Sequence, residues 1–350
     1  MNILQLVHST DFKTGGVARA VADLEIALTE LGIKNQVDDN AHNHSKDKFD
    51  LIIVHGLWQW PGVKALKLKR SHGTPYIVFP HGMLDPWFKA NNPFKHFKKQ
   101  IYWLFKQYSI IKNSSAVCFT TEVERQLARK TFWPYRCKEK VTGLGVASPQ
   151  GDKIKQTELF EKKFPDTKNK KQLLYMGRVH PKKGLDLLFS SFVKNSKQGD
   201  LLVIAAPLSK KCRYTQKLYE KYNNPGKNIL WTGMLDGDIK WGALRTANAL
   251  ILPSHQENFG MVVAEACSVS TPVLITNKVN LYQEILHYDA GLVERDDQNG
   301  VDNLLRGWFS GKLESKKQNA YKCFKEKLHI SRAAEKIIAI ARENKQSEIV

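Results

Sequence analysis

Two glutamates eight positions apart, Glu257 and Glu265, lie in the run Pro253-Ser254-His255-Gln256-Glu257-Asn258-Phe259-Gly260-Met261-Val262-Val263-Ala264-Glu265-Ala266. Before them, Ala249-Leu250-Ile251-Leu252 reads as a buried strand that Pro253 and Ser254 end. Gly260 lets the backbone come close to a ligand, and Met261 to Ala266 reads as the first turns of a helix. Glu257 then sits at the carboxyl end of a strand, where open α/β sheets bind ligands. Glu265 follows two turns into the helix, within reach of a second part of the same ligand. A large ligand with hydroxyls at both ends suits that pair, with the N–H groups of Asn258, Phe259 and Gly260 free to support its oxygens.

A second constellation follows another strand. Leu173-Leu174-Tyr175-Met176 runs into Gly177-Arg178-Val179-His180-Pro181-Lys182-Lys183-Gly184-Leu185, and a helix starts near Leu185. The free N–H groups and dipole of a helix amino terminus favour anions. Arg178 and Lys183 bracket that loop, suited to a diphosphate: the guanidinium by a forked contact, the ammonium as a point charge.

The first half offers two more places. A strand Ile3 to His8 leads through Ser9-Thr10-Asp11-Phe12-Lys13-Thr14 to Gly15-Gly16, where backbone N–H groups can approach a phosphate, and a helix begins at Val17. The spacing is not the G-x-G-x-x-G of nicotinamide binding. Phe79-Pro80-His81-Gly82-Met83-Leu84-Asp85-Pro86 follows a buried strand and places His81 for a ligand. His55 also ends a strand; with Trp58 and Trp60 it could line the side where a second, accepting substrate sits, since aromatic faces suit sugar rings, although core packing explains those tryptophans about as well. Asp236-Gly237-Asp238 has a metal-binding D-x-D form, but its position before Ile239-Lys240-Trp241 reads as a turn and helix cap. With Arg178 and Lys183 to neutralise a diphosphate, no metal and no other cofactor is expected.

The string from Pro253 to Ala266 resembles the E-x7-E signature of the retaining glycosyltransferases of family 4, and the loop at 177–184 resembles that family's G-R-x-x-x-x-K-G pattern. The resemblance spans nearly the whole chain, and its most specific motifs lie in the second half. It implies the GT-B fold, two Rossmann-like doubly wound parallel-sheet domains facing a cleft. It also implies a nucleotide-diphosphate sugar donor, with Glu257 on the sugar, Glu265 on the ribose, and Arg178 and Lys183 on the departing diphosphate. By the same resemblance Gly15 and Gly16 lie against the diphosphate and the acceptor, and His81 lies near the reacting sugar carbon. Enzymes with a run like His81-Gly82-Met83-Leu84-Asp85-Pro86-Trp87 commonly build surface polysaccharides, which makes a glycan or lipid-linked glycan, or lipopolysaccharide, the expected acceptor. Ser270-Thr271-Pro272, Ala205-Ala206-Pro207 and Gly143-Leu144-Gly145-Val146 depart from the family pattern, at the base pocket and hinge rather than at the diphosphate site. A phosphorylase or nucleotide-sugar epimerase of the same fold is the alternative enzyme, and a basic nucleic-acid-binding protein the alternative from another class. No recognised nucleic-acid motif is present, so nucleic acid is not an expected partner.

These residues need two sheets to position them, and the chain has the means. Its 350 residues, 42% hydrophobic, suffice for two cores. Leu51 to His55, Tyr76 to Pro80 and Ala116 to Thr120 continue the first βα series; Leu201 to Ala205, Ile229 to Thr232, Ala249 to Leu252 and Pro272 to Thr276 continue the second. The boundaries read as an acceptor-side domain 1–150, a polar, lysine-rich linker 151–171, a nucleotide-sugar domain 172–330 and a helix 331–350 crossing back to the first domain. Five scattered cysteines, an amino terminus unlike a signal peptide and the lack of a long apolar run fit a cytoplasmic protein. The balance of 54 basic against 34 acidic residues, net +20, favours polyanionic partners. Residues 89–112, read as one helix, put Phe94, Phe97, Ile101, Leu104, Phe105, Tyr108 and Ile111 on one face beside Lys95, Lys98, Lys99 and Lys106. That is the profile either of a core helix with snorkelling lysines or of an element lying peripherally on the inner face of an anionic membrane.

Overall fold

The computed structural model describes residues 1–11, 15–42, 44, 47–208, 212–223, 226 and 228–347. The chain divides into two compact units, residues 1–147 with 328–350, and residues 148–327. Each is built on a six-stranded, all-parallel sheet, the two Rossmann-like domains that the alternating pattern predicts. No described helix is long and apolar enough to cross a membrane.

The first sheet consists of β1 (Asn2–Leu6), β2 (Lys34–Asp38), β3 (Leu51–His55), β4 (Tyr76–Phe79), β5 (Ala116–Phe119) and β6 (Glu139–Val141), in spatial order β2-β1-β3-β4-β5-β6. Its inner strands are apolar because helices cover both faces; every residue of β3, β4 and β5 is buried. The second contains β7 (Lys171–Met176), β8 (Asp200–Ala205), β9 (Ile229–Trp231), β10 (Ala249–Leu252), β11 (Val273–Thr276) and β12 (Gly291–Glu294), in order β12-β11-β10-β7-β8-β9. In each sheet the winding direction reverses once, between β1 and β3 in the first and between β7 and β10 in the second. Such reversals open a crevice at the carboxyl ends of the two strands.

Three strands, β2, β6 and β12, were not expected. They are edge or near-edge strands with a half-exposed pattern, such as Lys-Asn-Gln-Val-Asp in β2, so they lack the apolar run that marks the inner ones. The segment expected as a linker is also ordered: a helix Lys153–Lys163 packs on the helix Gly237–Thr246 within the second unit. Phe160 is fully buried there, one apolar residue that a lysine-rich composition conceals. The last helix, Ile330–Ser347, packs on Gly16–Glu30 of the first unit. Val146 and the 328–330 segment are joined by hydrogen bonds from Val146 N–H to Leu328 O (3.0 Å) and from Ile330 N–H to Val146 O (3.1 Å), so the chain leaves and re-enters the first unit at one place.

The stretch 89–112 is not one helix. Helices Trp87–Asn91 and Pro93–Tyr102 are followed by a π-helical turn, Trp103–Gln107, and a helix Tyr108–Asn113. The wider turn changes which side chains face inward. Trp103, Gln107, Ile110 and Ile111 are buried, and Tyr108 packs against the core, whereas Phe94, Phe97, Ile101, Leu104 and Phe105 are exposed.

The helix pair 153–163 and 237–246 depends on Gly242. A β-carbon there would lie 2.1 Å from the Gln156 carbonyl oxygen. The helix-propensity gain of Gly242→Ala is about 1 kcal/mol, and overpacking costs typically about 1–3. A hard backbone overlap should put the cost at or above the top of that range, so the variant is expected to be destabilised by at least about 2 kcal/mol net, read as a lower urea midpoint. A midpoint at or above that of the parent would show that the pair separates freely.

Candidate active site

In the second unit the loops at the β7/β10 reversal are locked together. Gly184 takes a left-handed conformation (φ +64°), and a β-carbon on it would come within 2.1 Å of the Pro253 carbonyl oxygen. Only glycine fits both demands, which fixes the residue after Lys183. The His255 N–H donates to Lys182 O (2.8 Å), and Lys182 Nζ donates to Gln256 Oε1 (3.2 Å). Lys183 Nζ is thereby brought into contact with the Glu257 carboxylate. The backbone of Glu257 is held in turn: its N–H donates to Lys278 O (2.9 Å) and its carbonyl accepts from Asn280 N–H (3.1 Å).

Lys183 is only 9% exposed. Burial, with Lys182 and Arg178 adding repulsion, pulls its ammonium down to about 7. The Glu257 carboxylate pressed against it is its one ion-pair partner among the described residues. Arg178 is exposed at the end of the same loop, where the Tyr175 hydroxyl donates to its carbonyl (2.9 Å), and no carboxylate partner is found for it among the described residues. The loop after β7 therefore offers one free guanidinium and one cation occupied by an acid.

Glu265 lies on the helix Met261–Ser268, which starts at Gly260 (φ +73°), and is buried. Its Oε1 accepts from Lys240 Nζ (2.9 Å), and that ammonium also sits 4.4 Å from the centre of the Trp241 ring. Sequence reasoning missed Lys240. It lies two residues past the D-x-D, and only the packing of the helix 237–246 beside 261–268 gives it a role. The D-x-D is a helix start, as expected: Asp236 is the capping residue, and Asp238 Oδ1 accepts from Gln156 Nε2 (2.9 Å). Asn258 and Phe259 lie between the two glutamates, with Phe259 buried.

The first unit builds a separate cluster next to its own reversal. His81 has φ +50°, an uncommon conformation for a residue with a side chain, and Gly82 follows at +76°. A buried carboxylate stabilises the turn. Gly82 N–H donates to Glu124 Oε1 (2.6 Å), while the Thr120 N–H and hydroxyl donate to Glu124 Oε2 (both 2.7 Å). Glu124 was also missed, although Thr121-Glu122-Val123-Glu124 has the form of a capping box and Thr121 Oγ1 does accept from Glu124 N–H (3.0 Å).

His55 is buried behind His81 rather than placed to meet an acceptor. A chain of hydrogen bonds fixes both rings. Gln5 Nε2 donates to Asn35 Oδ1 (3.3 Å), which turns Gln5 Oε1 toward His55 Nε2 (3.1 Å). That nitrogen must carry the proton, so His55 Nδ1 is bare and accepts from His81 Nε2–H (3.1 Å). His81 Nδ1 is left as an acceptor. Trp58 does not join this cluster. Its ring packs against Trp103 and Phe132 of the core (6.1 and 5.1 Å between centres), so it does not line an acceptor surface. Gly15 (φ +134°) caps the helix Gly16–Glu30 after β1, and Phe12, Lys13 and Thr14 of the glycine loop lie outside the described residues.

Burial holds the His55 imidazolium well below its ordinary value, with His81 adding to the effect, and pushes His81 down to about 4. Folded-state values below 6.5 mean that the unfolded chain binds more protons under that pH. Their contribution to stability is full above about 6.5 and falls as pH drops toward 4. Denaturant midpoints measured down this range are expected to fall in the parent and to fall less in His55→Gln. Gln5→Leu, which orphans a buried N–H, is expected to cost about 1–3 kcal/mol. Parallel pH curves for parent and His55→Gln would refute the assignment.

Residues 156–322 match the family model of group 1 glycosyl transferases, and residues 39–137 match that of the glycosyl transferase 4-like domain. The chain is similar to the processive diacylglycerol alpha-glucosyltransferase of Acholeplasma laidlawii, 22% identical over 279 residues that cover 79% of this chain and 78% of that protein. It spans 37% of the length of an uncharacterized glycosyltransferase of Methanocaldococcus jannaschii, 26% identical over 145 residues, or 40% of this chain. Among solved structures, HepE of Anabaena in complex with UDP and glucose superposes with a TM-score of 0.74 at 15% identity, covering 98% of this chain and all of that one. The two parallel sheets are thus those of the GT-B fold, with the match to the glycosyl transferase 4-like domain falling in the first unit and the match to the group 1 glycosyl transferases in the second.

Proposed function

We propose that the protein is a retaining glycosyltransferase of family 4 that moves a sugar from a nucleoside-diphosphate sugar to a glycan or lipid-linked glycan acceptor, in surface-polysaccharide or lipopolysaccharide synthesis. The observation that carries this reading is the contact of Lys183 with Glu257 beside the exposed Arg178, at the β7/β10 reversal of the second sheet. It gathers a phosphate-binding cation and a hydroxyl-binding carboxylate where a donor's diphosphate and sugar would meet. HepE, solved with UDP and glucose, supports the donor class, and the relative named for diacylglycerol supports a lipid-borne acceptor.

In the reaction the bond from the anomeric carbon to the diphosphate oxygen breaks, and its electron pair leaves with the phosphate. Arg178 and Lys183 stabilise that charge in a partly dehydrated pocket. The acceptor oxygen bonds to the anomeric carbon on the same face, and its proton passes to the departing phosphate oxygen. Glu257, released from Lys183 when the diphosphate takes the ammonium, accepts hydrogen bonds from sugar hydroxyls. Glu265 takes the ribose, aligned by Lys240. The N–H groups of Asn258, Phe259 and Gly260 support ligand oxygens, Gly15 and Gly16 let backbone approach the diphosphate, and the bare Nδ1 of His81 accepts from a hydroxyl near the reacting carbon.

A thermal-shift screen of nucleoside diphosphates and their sugars tests the donor site. Arg178→Ala is expected to abolish the shift given by the best nucleotide, whereas Glu257→Ala keeps it and loses turnover by at least about a hundredfold. NMR of the first product is expected to show the donor's anomeric configuration, and an inverted product would refute the mechanism. Because deprotonation removes a cation, nucleoside-diphosphate affinity is expected to weaken as pH rises above about 7 and to stay level in Lys183→Arg, whose guanidinium remains charged. A pH-independent affinity in the parent would remove Lys183 from the diphosphate site.

A further inference from the structure

The helix Pro93–Tyr102 and the turn after it turn their apolar stripe outward. Phe94 is 88% exposed, Phe105 84% and Phe97 66%, with Ile101 and Leu104 between them. Fully burying one such side chain is worth about 1.5–3 kcal/mol, and contiguous exposed apolar patches mark interaction sites. The core cannot be their destination, because Trp103, Gln107, Ile110 and Ile111 already fill the inward positions. Lys95, Lys98 and Lys106 are exposed among the aromatic residues.

Beside this ridge lies a cavity of about 810 Å³. Gln100 ties its far wall to the helix, donating from Nε2 to Trp133 O (2.5 Å) and accepting at Oε1 from Trp133 N–H (3.2 Å), while His96 stacks on Phe132 at 4.7 Å. Lys89, Arg129, Lys130 and Arg136 line it, and so does one carboxylate, Glu139. Glu139 is taken by Arg129 and by the Tyr135 hydroxyl (3.1 Å). Lys89, Lys130 and Arg136 have no carboxylate partner among the described residues. The positive field reaches His96, whose imidazolium is pushed down by burial and by Lys89 and Lys99. Trp133, 77% exposed, stands at the rim.

We infer that this face of the first unit docks on a lipid bilayer, the aromatic ridge entering the headgroup–acyl boundary and the basic cavity taking the phosphate of an anionic headgroup. Charge complementarity selects the occupant: a row of uncompensated cations beside an apolar helical face matches an anionic lipid surface. The inference goes beyond sugar transfer and stands on residues that have no part in it.

Flotation with vesicles of phosphatidylcholine, with and without phosphatidylglycerol, tests it. The parent is expected to float with the anionic vesicles and to lose binding as salt rises. Lys95→Glu with Lys98→Glu should weaken that binding by more than about tenfold. Phe94→Ser with Phe105→Ser should abolish it at every salt concentration, and Lys130→Ala with Arg136→Ala should lower the preference for anionic over neutral vesicles. All of these substitutions are on exposed side chains, and unchanged UDP thermal shifts would certify the fold and separate this result from the sugar-transfer reading. Equal flotation by parent and variants overturns the inference. So does a parent that ignores vesicles and sediments as a dimer, with the double serine variant a monomer.

Discussion

Much of the second unit's chemistry turns on one contact, that of the Lys183 ammonium with the Glu257 carboxylate. Nearly buried cations are expensive, and losing one partner of such a pair leaves the other uncompensated. The contact therefore holds the loop after β7 against the loop after β10, with Gly184 fitted beneath the Pro253 carbonyl. On the proposed function, an anion entering the site would replace Glu257 as the partner of Lys183 rather than fill empty space. The carboxylate freed by that exchange is the group a sugar hydroxyl would need. Lys240 and Glu265 repeat the pairing on the neighbouring helices, so neither acid lacks a counter-charge before a ligand arrives.

The cluster around His81 keeps its polar groups in a different way. Gln5, His55 and His81 form a chain without net charge, in which each donor is assigned by the acceptor before it. Glu124 is the exception, a buried carboxylate satisfied by two backbone N–H groups and a hydroxyl. It holds His81 in a conformation that an unsupported chain would leave, and such strain persists only where the surroundings over-determine it.

The inner strands and both glutamates could be read directly from the sequence, because apolar runs ended by Gly, Pro or Ser survive any tertiary context. β2, β6 and β12 could not, since edge strands are half solvated and carry charged residues. The same holds for the helix 153–163, where Phe160 and Gln156 are buried among lysines. Gln5, Glu124 and Lys240 depend on partners 30, 42 and 25 positions away, and local spacing does not encode such distances. The stripe at 94–111 was visible, but not the register change at Trp103–Gln107 that parts its solvent-facing end from its buried end.

The crossing point at Val146 and Leu328 makes residues 148–327 an insertion whose two ends start side by side. A piece with neighbouring ends and a sheet of its own is a natural candidate for excision. The remainder could then be closed by a few residues joining 147 to 328, without unravelling any strand. Gly145 is what permits that seam, since a β-carbon there would sit 2.4 Å from the Leu328 carbonyl oxygen. The seam is thus two chains abreast within the first unit, closed by backbone hydrogen bonds in both directions.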